Sequence, residues 1–181
     1  MEVFDSLIVW IADFLGMHLY EGMFLAAFIE TIVPPIPTLA VFPTAGFIAS
    51  QQGITLVGLI PMIILGATGA TIGSSLIYLI ALKLGRIVLL RYLKYFKITD
   101  KKLQRVETWF EKHGDKAVFL GRLLPVMREM ISIPAGLLKM KLPKFVFYTF
   151  MGSLVYTAVT ILAGYYFSEA VGLATSISNG K

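Results

Sequence analysis

Four ionisable side chains stand where the surrounding sequence is apolar. Glu30 sits in FIETIVPPIPTLAVFPTAG, residues 28–46, and Arg122, Arg128 and Glu129 sit in AVFLGRLLPVMREMISIPAGLL, residues 117–138. A charged side chain at bilayer depth costs at least ~2.5–3.5 kcal/mol, so these four demand compensation. A guanidinium matches a phosphate in a bidentate way, which makes Arg122 and Arg128 candidates to bind an anionic head group. Glu30 is the candidate proton-responsive group, because burial favours its neutral form and a neighbouring arginine its charged form. A purely structural ion pair between Glu30 and the arginines, stapling the two segments together, uses the same residues. Glu129 follows Arg128 on a different helical face. It either caps or orients that arginine or lies outside the site, and the sequence leaves this open.

Both segments that carry these charges are broken. Pro34, Pro35 and Pro37 interrupt the first, and Pro43 again; Pro125 and Pro134 interrupt the second. A spanning helix needs about 20 apolar residues, and no arm reaches that length. Proline removes a backbone donor and disfavours helix in the residue before it. The expected elements are two re-entrant helical hairpins, over residues 22–50 and 117–138. They close alike, on Pro43-Thr44-Ala45-Gly46 and Pro134-Ala135-Gly136; Gly46 and Gly136, 90 residues apart, are expected to break the hairpins together with the prolines. Irregular backbone at membrane depth is tolerated only inside protein or against a wet cavity, so the hairpins should meet each other.

The remaining elements follow from charge and length. Ile54 to Leu82 is 29 residues without a charge and predicts a transmembrane helix over 54–84, with Pro61 as a kink. Its Gly69 and Gly73 form a GxxxG spacing that lets another backbone approach. Phe145 to Phe167, 23 uncharged residues, predicts a second transmembrane helix over 145–167. Residues 1–20 read as an N-terminal amphipathic helix lying at the interface, a short span being the competitor. The N-terminus lacks a basic region and begins with Glu2 and Asp5, so no cleavable signal peptide is expected.

At 57% hydrophobic and 15% charged, with a mean hydropathy of +0.79, the 181 residues describe one all-α integral membrane domain. Residues 1–82 hold no lysine or arginine, whereas 86–116 hold nine against four acids, an excess equal to the net charge of +5. The positive-inside rule explains this better than nucleic-acid binding does. Residues 86–116 then form a basic amphipathic cytoplasmic loop. The halves take opposite orientations, as in the inverted repeats of transporters, and both termini fall on the outer face of the cell membrane. The absence of cysteine and the separation of His18 from His113 argue against a metal site. No nucleophile elbow or phosphate-binding glycine loop appears, so neither a cofactor nor an enzyme is expected.

Glu30-x3-Pro34-x2-Pro37, the Pro-x-Ala-Gly at 43–46, and Gly121-Arg122-x2-Pro125-x2-Arg128 with Ile133-Pro134-Ala135-Gly136 resemble the DedA family, also called SNARE-associated or VTT-domain proteins. The resemblance covers about residues 20–167. It implies two facing re-entrant hairpins and lipid transport: of undecaprenyl phosphate in bacterial members, or scrambling of phospholipids in eukaryotic ones. By position, Glu30, Arg122 and Arg128 match the family's functional charges. The chain departs from the pattern at Thr38-Leu39, where many members carry a second acid, and at Glu129, where a small or hydroxyl residue is common. Tyr156 stands where tryptophan is common, a change expected to matter little. The implied function is translocation of an anionic phosphate-bearing lipid, with Glu30 the candidate for proton coupling; Glu129, a departure from the family, either replaces the missing acid or weakens anion binding. The alternatives are a non-selective scramblase and a structural membrane protein. The partner is a membrane lipid; whether the protein is a homodimer is open.

Overall fold

The structure, a computed structural model, describes residues 18–32, 38–95 and 100–179, and its regular elements there are all helical. α1 (Leu19–Ile32) and α2 (Thr38–Gln51) are followed by a 3₁₀ turn, Leu56–Gly58, and the long α3 (Leu59–Tyr95). α4 (Asp100–His113), α5 (Lys116–Leu123), α6 (Pro125–Met130) and α7 (Ser132–Leu137) are short, and α8 (Leu142–Asn179) is long. The expected interfacial helix falls almost wholly outside the described residues, as do Pro34, Pro35 and Pro37.

Two stretches are long and apolar enough to cross a membrane, Leu56–Leu84 and Leu142–Gly172. Both long helices overrun the expected spans. α3 continues to Tyr95, through residues expected to be loop, because RIVLLRYLKY contains strong helix formers and nothing that stops a helix. Pro61 sits in the first turn of α3, where its missing N–H is not needed.

Several expected breaks are placed differently. Pro43 lies inside α2 and does not end it. Gly46 and Gly136 also lie within helices, α2 and α7, and are contact points instead of breaks. In the second segment the break is at Leu124, extended at φ −99°, ψ 120°, with Pro125 as the first residue of α6. That is the conformation proline imposes on the residue before it. Pro134 sits in the first turn of α7 and interrupts nothing.

The arms are exchanged between the long helices: α1 and α7 pack on α3, while α2 and α5 pack on α8. Glycines make each contact possible. On α3, a Cβ at Gly69 would strike the Phe24 carbonyl; on α8, a Cβ at Gly164 would strike that of Pro43. A Cβ at Gly46 would strike the Ile161 carbonyl of α8, and one at Gly136 the Tyr78 carbonyl of α3.

α2 and α7 also end in one motif. The N–H of Gly53 donates to Ser50 O and that of Ile54 to Ala49 O, both at 3.0 Å. The N–H of Lys139 donates to Gly136 O at 3.1 Å and that of Met140 to Ala135 O at 3.0 Å. Both are Schellman caps, with Gly53 at φ 69° and Lys139 at φ 55° in the left-handed position. A tyrosine from the long helix that carries each arm then donates to the carbonyl just past the cap. Tyr165 OH reaches Ile54 O at 3.0 Å, and Tyr78 OH reaches Met140 O.

Two apolar cores form, one around Met23, Phe42, Met62 and Ile161, the other around Tyr78, Phe110, Ile131 and Phe145. Between them, on α3 at Thr71–Ser74 and on α8 at Thr149–Ser153, the buried residues turn polar. That polar layer holds the candidate site.

Candidate functional site

Three of the four charged side chains singled out in the sequence are buried. Glu30 is 1% exposed, Arg122 1% and Arg128 2%, and Arg122 ranks first by size among the fully buried side chains. These three are the buried charged residues among the described side chains; the side chain of Glu129 lies outside them.

α5 presents Arg122 to α8 at a glycine. A Cβ at Gly152 would lie 2.6 Å from the Arg122 Cβ and 3.0 Å from the Phe119 carbonyl oxygen, so only glycine lets the arginine's stem lie against the helix. The Arg122 guanidinium donates from Nη2 to Ser132 Oγ at 2.9 Å. Ser132 begins α7 and is 1% exposed; this bond ties the two arms of the second segment across the Leu124 break.

Arg128, on α6, is held by aromatic rings. Its guanidinium carbon lies 4.2 Å from the Tyr156 ring centroid and 5.3 Å from that of Phe42. The two rings meet edge to face at 6.0 Å. Cation–π attraction is worth ~2 kcal/mol or more when desolvated. It steadies the cation through the face of the guanidinium, whereas its N–H donors lie along the edge. Gly152 and Tyr156 are one turn apart on α8, so the two arginines stand over one face of that helix, close to the middle of the Leu142–Gly172 stretch.

Glu30 enters from α1, on the other long helix. Its neighbour Thr31 packs where a Cβ at Gly73 would come within 3.0 Å. The site is therefore assembled from both halves of the chain: Phe42 from the first segment lies against Arg128 from the second.

Sequence reasoning missed Phe42, Ser132 and the buried hydroxyls of α8, and it gave Tyr156 no role. The structure places the Tyr156 ring directly against Arg128. Nothing in the sequence alone singles these residues out, because their contacts join separate elements. A cavity of about 430 Å³, lined by Pro43, Thr44, Phe47, Ala163, Gly164 and Phe167, opens between α2 and α8. It begins at Pro43, next to the Phe42 that touches Arg128, and is apolar.

The VTT domain family profile matches residues 36–166. A protein of Bacillus subtilis named undecaprenyl phosphate transporter A is 35% identical over 159 residues, which cover 88% of this chain and 77% of that one. A protein of Lactococcus lactis subsp. cremoris named alkaline phosphatase-like is 33% identical over 150 residues, 80% of this chain and 69% of that one. The protein DedA of Escherichia coli is 28% identical over 161 residues, 84% and 70% of the two chains. No solved structure gave a significant match. With the buried arginines, the two apolar helices and a family match over most of its length, the chain belongs to the DedA family of VTT-domain membrane proteins.

Proposed function

We propose that this protein moves an anionic, phosphate-bearing lipid between membrane leaflets, a polyprenyl phosphate such as undecaprenyl phosphate being the substrate. One observation carries the reading: Arg122 and Arg128 are both buried and lie against Gly152 and Tyr156, positions one turn apart near the middle of an apolar helix. Taking two cations out of water is costly unless an anion meets them. A phosphate offers the bidentate geometry that guanidinium prefers. The names of two relatives, the undecaprenyl phosphate transporters of Staphylococcus aureus and Bacillus subtilis, agree with that chemistry. The apolar cavity beside Pro43 gives the hydrocarbon chain a path that starts one residue from Phe42.

In this reading the two broken segments are re-entrant hairpins of an inverted repeat, meeting at the arginines. The exchanged packing of their arms and the shared cap support it. Residues 86–116 lie on the cytoplasmic side by the positive-inside rule. Cysteine labelling tests this in a chain that has no cysteine of its own. Gln51→Cys should react from outside and Lys101→Cys from the cytoplasm, and the opposite pattern for either overturns the topology.

Glu30 acts as counter-charge when the phosphate is absent and takes up a proton when it binds. Glu30→Gln should then remove the response of transport to a proton gradient. A variant that still responds like wild type would end the coupling idea.

The function itself is tested by head-group-resolved flipping in proteoliposomes. Wild type should move undecaprenyl phosphate and leave phosphatidylcholine in place, and Arg128→Ala should lose that movement. Equal movement of both lipids identifies a scramblase, and an Arg128→Ala protein as fast as wild type rejects the arginine clamp.

A further inference from the structure

Hydroxyls on membrane helices usually satisfy themselves by donating to the carbonyl one turn back. This protein does so repeatedly: Thr31, Thr68, Thr71, Ser74, Ser75 and Thr160 each donate to the residue four positions earlier, at 2.5–2.8 Å. Four buried hydroxyls on α8 break the pattern. Thr149 Oγ1, Ser153 Oγ, Tyr156 OH and Thr157 Oγ1 have no hydrogen-bond partner. Their residues are 0%, 2%, 6% and 0% exposed. Burying a hydroxyl without a partner is expensive, and four on one helix call for an explanation.

Their spacing supplies one. Positions 149, 153, 156 and 157 are related by three and four residues, so they share one face of α8. Gly152 and Tyr156 place Arg122 and Arg128 on that same face. The Thr157 methyl lies 3.1 Å from where a Cβ at Gly66 would be, next to Phe42, so this end of the row lies between the two long helices. The row spans about 12 Å of helix axis, a large part of the depth a head group must cross.

We propose that Thr149, Ser153 and Thr157, with the phenol of Tyr156, form the second wall of the head-group site and donate hydrogen bonds to the phosphate oxygens that the arginines neutralise. The inference rests on the transport reading above and names residues that the family's charged positions do not include. A phosphate monoester presents three non-ester oxygens, more lone pairs than two guanidiniums fill. Each hydroxyl can rotate its proton toward the anion, and the row offers successive donors as the phosphate moves along α8. The hydroxyls stay unsatisfied within the protein because their partner is the lipid.

The test uses isosteric removal in full-length protein, with undecaprenyl phosphate as the probe. Ser153→Ala combined with Thr157→Val should slow flipping in proteoliposomes about tenfold or more, the loss of hydrogen bonds to a charged group. Thr149→Val and Tyr156→Phe should each do so in part, and Thr157→Ser, which keeps the hydroxyl, should keep wild-type transport. The melting temperature of the lipid-free variants should stay unchanged or rise, because an unsatisfied group has been removed. Wild-type transport in the Ser153→Ala/Thr157→Val protein overturns the proposal. So does a loss of transport matched by a loss of melting temperature, which marks the hydroxyls as packing or water-binding groups. If wild type itself moves no phosphate lipid, the transport reading fails and this assignment with it, an outcome the wild-type control separates from the other two.

Discussion

Residues 19–54 and 116–140 finish alike and differ before they finish. Each ends in a Schellman cap, a glycine pressed on the backbone of a long helix, and a tyrosine bond to the carbonyl past the cap. Ahead of those ends, the first has two arms of 14 residues each, with Pro43 carried inside a helix. The second is cut into helices of 8, 6 and 6 residues. The long arms carry one buried acid; the cut ones carry both buried arginines. The shared parts fix where the arms dock. The parts that differ carry the buried charges, and the extra break at Leu124–Pro125 brings Arg122 and Arg128 onto one face of α8, with Ser132 linking across the gap.

If the shared parts do the same work, equivalent substitutions should cost alike. The largest effect is expected at the glycines. Gly46→Ala and Gly136→Ala each push a methyl into a carbonyl and should cost ~3 kcal/mol, or prevent folding. Thermal unfolding in detergent reads this, and a tolerated Gly136→Ala beside a lethal Gly46→Ala would break the equivalence. The tyrosine bonds come next. Tyr165→Phe and Tyr78→Phe should each cost ~1–2 kcal/mol, because a carbonyl is left without its donor. Unequal losses would show that one clamp is redundant.

The caps should respond with opposite signs. Lys139 holds a left-handed conformation that costs a side-chain-bearing residue ~1 kcal/mol, so Lys139→Gly should stabilise by about that much, and Gly53→Ala should destabilise to a similar extent. Two drops in melting temperature would contradict the shared-cap account. The smallest effect is at the surface. Lys144 Nζ and Asp115 Oδ2 are 2.6 Å apart but well exposed, so Asp115→Asn should leave the melting temperature essentially unchanged.

Much of this was legible in the sequence. The uncharged runs long enough to span locate the long helices, and two Pro-Ala-Gly-like endings locate the two segments that end in the same cap. Buried arginines announce themselves because the residues around them are apolar. Pro43 misled because a proline reads as a break, whereas inside a packed helix it costs one backbone bond and the helix continues. Gly46 and Gly136 were read as breakers because glycine's two uses, freedom and smallness, look the same in sequence. Thr149, Ser153 and Thr157 could not be found that way. A threonine that bonds its own helix and one that does not have the same letter, and only the geometry separates Thr160 from Thr157. Phe42 and Tyr156 were invisible for a related reason: their contact joins residues more than 100 positions apart.

The central claim is that the arginine pair recognises phosphate. A ligand that binds the folded state raises its stability in proportion to its occupancy, so we would measure the melting temperature of purified protein with undecaprenyl phosphate and with the neutral alcohol undecaprenol. The phosphate should raise the melting temperature of wild type and not of Arg128→Ala, and the alcohol should raise neither. Equal stabilisation by alcohol and phosphate, or an undiminished shift in Arg128→Ala, would contradict the account.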